Sequence, residues 1–504
     1  MIAAFFAAAF VYLYCTVFLL PATPIFFEND HLIPMYDGVR MLAGEVLYRD
    51  IFQFTFPGTQ VWYVALFAAF GERMWLLNAT IIFLGMVLSA GIFAISSRLM
   101  KGAYALIPPA IFLFFGFRWY GMDGGHRLFS CFFATLATLV LIDRSSRSRL
   151  MLAGAFSALA TFFTQNRGVG IAAAIAVFIV WEVWSSEAVG RLREGVMAIL
   201  VFGLSYCAVL LLLLAHFLAS VGVGSFIEST LLFASNYNAD PLNNSHFYLL
   251  FWQSLLTGNV SWSSLPVDLF YYLLVPAVYV VPLVYYFWKR PGDRRLWRNV
   301  VLLCITGIFL FLVTTGLNPV RLYHVAIPGV IVLVLGIYHS RLRPVMLPAV
   351  GAVVMLAVGL CVWTQIKTYP APVELPAGTV VFTSETAGER YRWLNDHTQP
   401  GDVVFEPFRT AVNFPLHVRN PTSFAMLRNS DYTPPEHVEM VIRQLAGRPP
   451  KYIVWDANWS LEPGERRPDD HLGPLYDYLR RDYRLTTTLS PIYEFKVEVW
   501  ERKF

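Results

Sequence analysis

Charge is scarce in this chain. Asp, Glu, Lys and Arg make up 14% of its 504 residues, against 57% hydrophobic. Soluble domains carry roughly 25% charged residues, so water cannot solvate most of this chain's surface. The net charge of +4 is too small for a nucleic-acid-binding surface. A cysteine pattern is also missing. Cys15, Cys131, Cys207, Cys304 and Cys361 each sit inside an apolar run, without CxxC spacing. That leaves no disulfide framework, and they read as small apolar residues. Zinc and EF-hand spacings are absent too, so the sequence implies no metal or other cofactor. There is no internal repeat and no low-complexity segment. Lys and Arg are lacking before Arg40 and throughout 219–265.

Long apolar runs are abundant. Eleven stretches read as membrane-spanning helices: 3–21, 75–97, 103–117, 128–143, 150–164, 169–184, 196–218, 266–288, 299–316, 325–339 and 344–365. About 20 apolar residues cross a bilayer. The first stretch lacks the positive flank of a signal peptide, so we read it as an uncleaved helix rather than a cleaved leader. A further run, 58–70, is short and ringed with aromatics, and is expected to lie in the interface.

Placement of positive charge sets the orientation. With 58–70 in the interface, the clusters around Arg98, Arg144–Arg149, Arg191–Arg193, Lys289–Arg298 and Arg341–Arg343 all face the cytoplasm. If 58–70 crossed, RSSRSR and KRPGDRRLWR would lie outside, against the rule. The first arrangement places the C-terminus outside. It also gathers Asp30, Asp37, Asp50, Arg118, Asp123, His126, Arg127, Gln165, Asn166, Arg167, Arg321 and His324 on the outer side. Ionisable groups at membrane depth are costly, so several at one end of different helices point to a shared polar cavity. The bland reading is that loops are polar.

The chain thus reads as a polytopic α-helical membrane bundle, residues 1–366, with a first outer loop over 22–74. A small extracytoplasmic α/β domain follows at 367–504. There VVFTSE, DVVFEPF, KYIVWD and YEFKVEVW read as strands, and ETAGERYRWLNDHT, PPEHVEMVIRQLAG and HLGPLYDYLRRDY as amphipathic helices. Asp402 and Asp456 sit beside strands but read as structural residues.

In the first outer loop, Leu32, Met35, Tyr36, Val39, Met41 and Leu42 carry a helical pattern with Gly44 as its stop. Asp30 stands at the N-cap position of that helix, so it is a capping residue, a carboxylate facing the cavity, or both. Asp37 reads as a solvated helix residue, and Asp50 as a brace of the loop through Arg49. The order is an acidic residue after the first membrane helix, a helix ending in MLAGE, then YRD, PG and an aromatic interfacial helix. It resembles the GT-C fold glycosyltransferases, in the group of protein O-mannosyltransferases and lipid A aminoarabinose transferases, and most of all a bacterial branch of that group.

The resemblance implies an inverting transferase of the bacterial inner membrane. It would move a sugar from a polyprenyl-phosphate donor to an acceptor hydroxyl of a lipid, glycan or protein outside the cytoplasm. Asp30 corresponds to the group's first-loop catalytic Asp, although His31 follows where relatives often carry Glu. Asp123, in RWYGMDGGHR, corresponds to a second acidic residue between the third and fourth helices. The chemistry suits these residue types. A phosphate leaving group needs cations rather than a protonating acid, and the acceptor hydroxyl needs a carboxylate base. Arg127, Arg167 and Arg321 are candidate phosphate clamps, with His324 and His126 weaker candidates; each arginine could equally anchor a lipid headgroup. The loop 219–265, with SNYNADPLNNSHFY, suits sugar stacking and equally an interfacial loop. A transporter or lipid-linked-sugar flippase is the competing class. Against it stand the one-sided polar residues and the lack of paired halves.

Overall fold

The computed structural model describes all residues except 29, 186–190, 241–242, 244–246, 259–261, 290, 458–466, 493–494 and 504. Arg290 of the basic clusters, most of PLNNSH in the outer loop, and the first two residues of YEFKVEVW lie outside the described residues. The chain forms two compact units. One comprises Met1–Thr16, Thr80–Ala215 and Ser245–Gln365; the other comprises Val17–Ala79, His216–Asn244 and Ile366–Phe504. The first outer loop therefore groups with the C-terminal segment.

The first unit is helical, as an apolar chain must be where no water can satisfy its backbone. Each of the eleven apolar stretches is helical over most of its length, although 3–21 leaves the helix after Val17 for the short strand Phe18–Leu19 and 299–316 after Leu312. Among the described residues seven helices are long and apolar enough to cross a membrane, from Trp75–Leu99 to Arg343–Ile366. Pro319–Val325 and Ile327–Tyr338, bent by 65°, make an eighth if counted as one span. The protein is multi-pass. Ile2–Val17 and His126–Leu141 have 16 residues each and Arg147–Phe163 has 17. At 1.5 Å per residue they reach about 25 Å, short of a bilayer core of about 30 Å.

The bend is held by a tyrosine. The Tyr279 hydroxyl donates to the Val325 carbonyl (2.9 Å) and accepts from the Gly329 amide (3.2 Å), satisfying groups on both sides of the break. Gly307 makes room for that ring, because a Cβ there would lie 2.1 Å from it. At one end of the unit Asp143 ties three helices. It bonds Arg98 (3.2 Å), Arg295 (3.0 Å) and Asn299 (3.1 Å), while Glu182 pairs with Arg298. The residues singled out for function lie at the opposite ends of those helices: Arg127 opens His126–Leu141, and Arg167 opens Gln165–Trp184.

The second unit contains a four-stranded sheet in the order Val404–Phe405, Tyr452–Asp456, Phe495–Arg502, Tyr483–Ile492. The first pair is parallel, with Val404 opposite Tyr452, and the other pairs are antiparallel. Glu385–His397, Pro435–Gly447 and Gly473–Asp482 are the helices read from the sequence. The apolar stripes of the last two help close a core of Phe405, Val441, Leu445, Trp455, Leu479 and Tyr483, with Phe52 of the first loop packed against it. Two strand expectations are corrected. VVFTSE forms no strand and contributes only isolated bridges, from Val381 to Ile25 and from Val380 to Val373. Tyr483–Ile492 is an unexpected edge strand, whose RLTTTLSPI run has too few large apolar residues to show the alternation.

Candidate active site

In the first unit a widened helix leads into the site. Ile111–Gly121 has π-helical backbone, a form that often marks functional positions. The Tyr323 hydroxyl takes up the Phe112 carbonyl at 2.6 Å. The chain then turns at Asp123, whose Oδ1 accepts the Gly125 amide (2.8 Å) and whose Oδ2 accepts Arg127 Nη1 (3.1 Å). A Cβ on Gly125 would sit 2.6 Å from Asp123 Oδ1, so only glycine lets the carboxylate fold back onto this amide. Gly125→Ala should therefore push Asp123 off Arg127 and destabilise the chain by about 1–2 kcal/mol. The thermal midpoint of the purified protein in detergent checks this; an unchanged midpoint would mean the turn is not built as described.

Arg167 draws the rest together. It is 4% exposed, and its guanidinium donates to the Arg127 carbonyl (3.3 Å), the Cys131 sulfur (3.5 Å) and the Arg321 carbonyl (3.4 Å). It holds the main chain of both other arginines. Arg321 Nη1 donates to the Thr315 carbonyl at 2.7 Å, and the Asn318 side chain caps its short helix. Arg127 and Arg321 are partly exposed, whereas His324 is buried with Nδ1 on the Val320 carbonyl (2.8 Å). His126 lies within electrostatic reach of Arg127, Arg167, Arg321 and His324. The expected set Asp123, His126, Arg127, Arg167, Arg321 and His324 is thus one cluster drawn from three stretches of chain.

Asp30 belongs to the second unit and is exposed. It is not the N-cap as expected. His31 holds that position without a side-chain cap, its Nε2 on the Phe27 carbonyl, and Asp30 offers its own carbonyl to the Ile33 amide (3.2 Å). Asp50 braces the loop, accepting the Val46 amide (2.8 Å) and pairing with Arg49 (2.8 Å), which holds its carboxyl below the usual range.

Asp37 is a larger correction. It is fully buried rather than solvated, because its helix, Leu32–Leu42, packs on Gly58–Phe70. Gln53 Nε2 (2.9 Å) and Gln60 Nε2 (3.4 Å) donate to its Oδ2. Burial still pushes its pKa up to about 6. The folded chain then binds this proton more tightly than the unfolded one. Stability from this group is full below about pH 4 and is lost as pH rises through 6, in all roughly 3 kcal/mol. Asp37→Asn should raise the unfolding temperature near pH 8 and leave it nearly unchanged near pH 4; an equal shift at both would assign the effect to packing.

Two groups of residues went unnoticed in the sequence. Glu28 pairs with Arg390 (2.7 Å), which also bonds Glu406. The Tyr432 hydroxyl lies in the fields of Arg428, Tyr237, Asp240 and Asp30. The only prior signal was Asp240, one of two acids with Glu228 in a loop without Lys or Arg.

Three solved structures share this architecture. The Archaeoglobus fulgidus oligosaccharyltransferase, in complex with zinc and sulfate, superimposes with a TM-score of 0.54 at 14% identity, over 98% of this chain and 72% of its own. ArnT from Cupriavidus metallidurans, bound to undecaprenyl phosphate, gives 0.55 at 11% identity, over 99% and 97%. The chain has the GT-C fold. The archaeal oligosaccharyltransferase AglB, with an inhibitory peptide and a dolichol-phosphate, matches that GT-C fold at 0.53 and 10% identity, over 98% and 74%. No family model and no curated protein matches the sequence.

Proposed function

We propose that this protein is a membrane glycosyltransferase that moves a sugar from a polyprenyl-phosphate donor to an acceptor hydroxyl on the outer face of a bacterial inner membrane. The observation that carries the proposal is the cluster of Asp123, Arg127, Arg167 and Arg321 at one end of the helical unit, in a GT-C fold. Support for the donor class comes from two likenesses of fold, to a protein bound to undecaprenyl phosphate and to one bound to dolichol-phosphate. In this reading all eleven apolar helices cross, the short ones included, and residues 367–504 lie outside the cytoplasm.

Asp30 is the general base. It takes the proton of the acceptor hydroxyl as that oxygen bonds to the anomeric carbon, and the bond from that carbon to the phosphate oxygen breaks on the opposite face, with inversion. The leaving phosphate departs as an anion held by Arg127 and Arg321, whose planar forks match its oxygens. Arg167 and His324, buried against main-chain carbonyls, position those two arginines. Asp123 aims Arg127, and His126 supports the cluster. The scheme calls for no metal ion.

Envelope glycans and lipid-linked sugars from cells with and without this protein test the reading. Without it one glycan should lose a sugar while the matching polyprenyl-phosphate sugar accumulates. Arg127→Ala and Arg321→Ala should each lower transfer by about a hundredfold, as loss of a charge-stabilising donor does. Loss of the sugar with the lipid-linked donor trapped on the cytoplasmic leaflet would identify a flippase instead.

A further inference from the structure

Three stretches remote in sequence meet within the second unit. The first loop is pinned to the segment after residue 419: the Asn420 amide donates to the Tyr36 hydroxyl (2.7 Å) and the Phe52 amide to the Ser423 carbonyl (2.8 Å). The short helix Ala234–Ala239 is tied to the same segment, because Asn236 Nδ2 donates to the Asp431 carbonyl (3.0 Å). At their junction the Asp240 carboxylate accepts Ser430 Oγ (3.4 Å) and lies 3.9 Å from Arg428 Nε. Rings complete the wall. Tyr432 meets Phe233 edge-on (5.3 Å between centroids) and Phe54 edge-on (6.2 Å), and Phe54 lies 4.9 Å from Tyr237. The charges of Asp30, Asp240 and Arg428 all act on the Tyr432 hydroxyl.

We propose that Tyr432, Tyr237, Asp240 and Arg428 form the acceptor subsite beside Asp30, and that its ligand is a neutral sugar ring; this rests on the glycosyltransferase reading above. Phe54 and Tyr237 are half-buried, so each ring keeps some face for the C–H side of a pyranose. A carboxylate, a guanidinium and hydroxyls within one junction suit neighbouring hydroxyl groups, which both donate and accept. These residues offer side chains rather than a strand edge, the feature that captures an extended peptide. With Asp30 counted, the formal charge is one cation against two carboxylates, which disfavours an anionic acceptor. Burial pushes the Tyr432 hydroxyl pKa up, so it stays a neutral donor.

The full-length protein in nanodiscs tests this by saturation-transfer NMR with neutral methyl hexosides, glucose 6-phosphate and a Ser/Thr hexapeptide as probes. Saturation of the hexosides alone is expected. Tyr432→Phe, which keeps the ring, and Asp240→Asn, which keeps the shape, should each weaken it about tenfold, as loss of a ligand hydrogen bond or two does. Matching melting curves establish that both variants are folded. Hexoside binding unchanged in both variants overturns the subsite, as does saturation of the peptide or the sugar phosphate in place of the hexosides. The parent reading is read out separately, by the envelope glycan of Asp30→Asn cells. Hexoside binding that depends on Tyr432 beside an intact glycan sinks the base assignment and leaves the subsite standing.

Discussion

Asp30→Asn should reduce sugar transfer by about 10²–10⁴-fold, the range a positioned general base contributes, with membrane abundance and melting temperature unchanged. The amide keeps the size of the carboxylate but cannot take the hydroxyl proton. Little structural cost is expected. The side chain is exposed, and the bond that starts the following helix runs from the Ile33 amide to the Asp30 carbonyl, which the substitution leaves in place. The second readout is pH. Wild-type transfer should fall as pH drops through the carboxylate range, because a protonated Asp cannot act as base, and the residual rate of the variant should lack that limb. A variant with full transfer would remove Asp30 from the chemistry. A variant with lost transfer but the same acid limb would place the base elsewhere.

Some of this architecture is legible in the chain and some is not, for physical reasons. The long apolar helices announce themselves, because an uncharged apolar run must satisfy its backbone within itself where there is no water. The arginines at the helix ends are legible for the converse reason: a guanidinium beside an apolar run is costly unless something there uses it. What a linear reading misses is pairing across distance. Glu28 and Arg390 are each a charge near an ordinary helix or loop, and nothing local says that they meet. Asp37 misleads in the same way. On its own helix it follows Tyr36 as any solvated acid might, and only the packing of Gly58–Phe70, where Gly38 lies close against Tyr63, buries it. Arg167 was legible as important but not for its role, since its bonds go to carbonyls that belong to other arginines. Nor does anything local to Phe52 say that it packs against the core of the C-terminal sheet.

That long-range pairing makes Arg390 the position where the largest loss of stability is expected. Its side chain is 7% exposed and lies between Glu28 (2.7 Å) and Glu406 (2.5 Å), themselves 13% and 4% exposed. Burial presses against the guanidinium charge, and the two carboxylates more than restore it. Glu406 spends its other oxygen on the Ala411 and Val412 amides (2.9 and 3.1 Å), so it cannot swing out to water when its partner is lost. Arg409, 4.0 Å from Glu28 and 36% exposed, is too far and too solvated to replace it. Arg390→Met should therefore cost about 3–5 kcal/mol, the penalty for stranding buried charge. The loss carries its own signature. Two buried carboxylates without a cation hold protons more tightly folded than unfolded, so the variant should regain stability as pH falls toward 5 and lose it as pH rises. Adding Glu28→Gln and Glu406→Gln to Arg390→Met should recover much of the loss near pH 8. Because Glu28 stands two residues before Asp30, the single variant should also lose transfer beyond its loss of folded protein, and the triple variant should regain it only in part. Equal destabilisation at both pH values would show that Arg390 contributes packing against Tyr391 rather than charge.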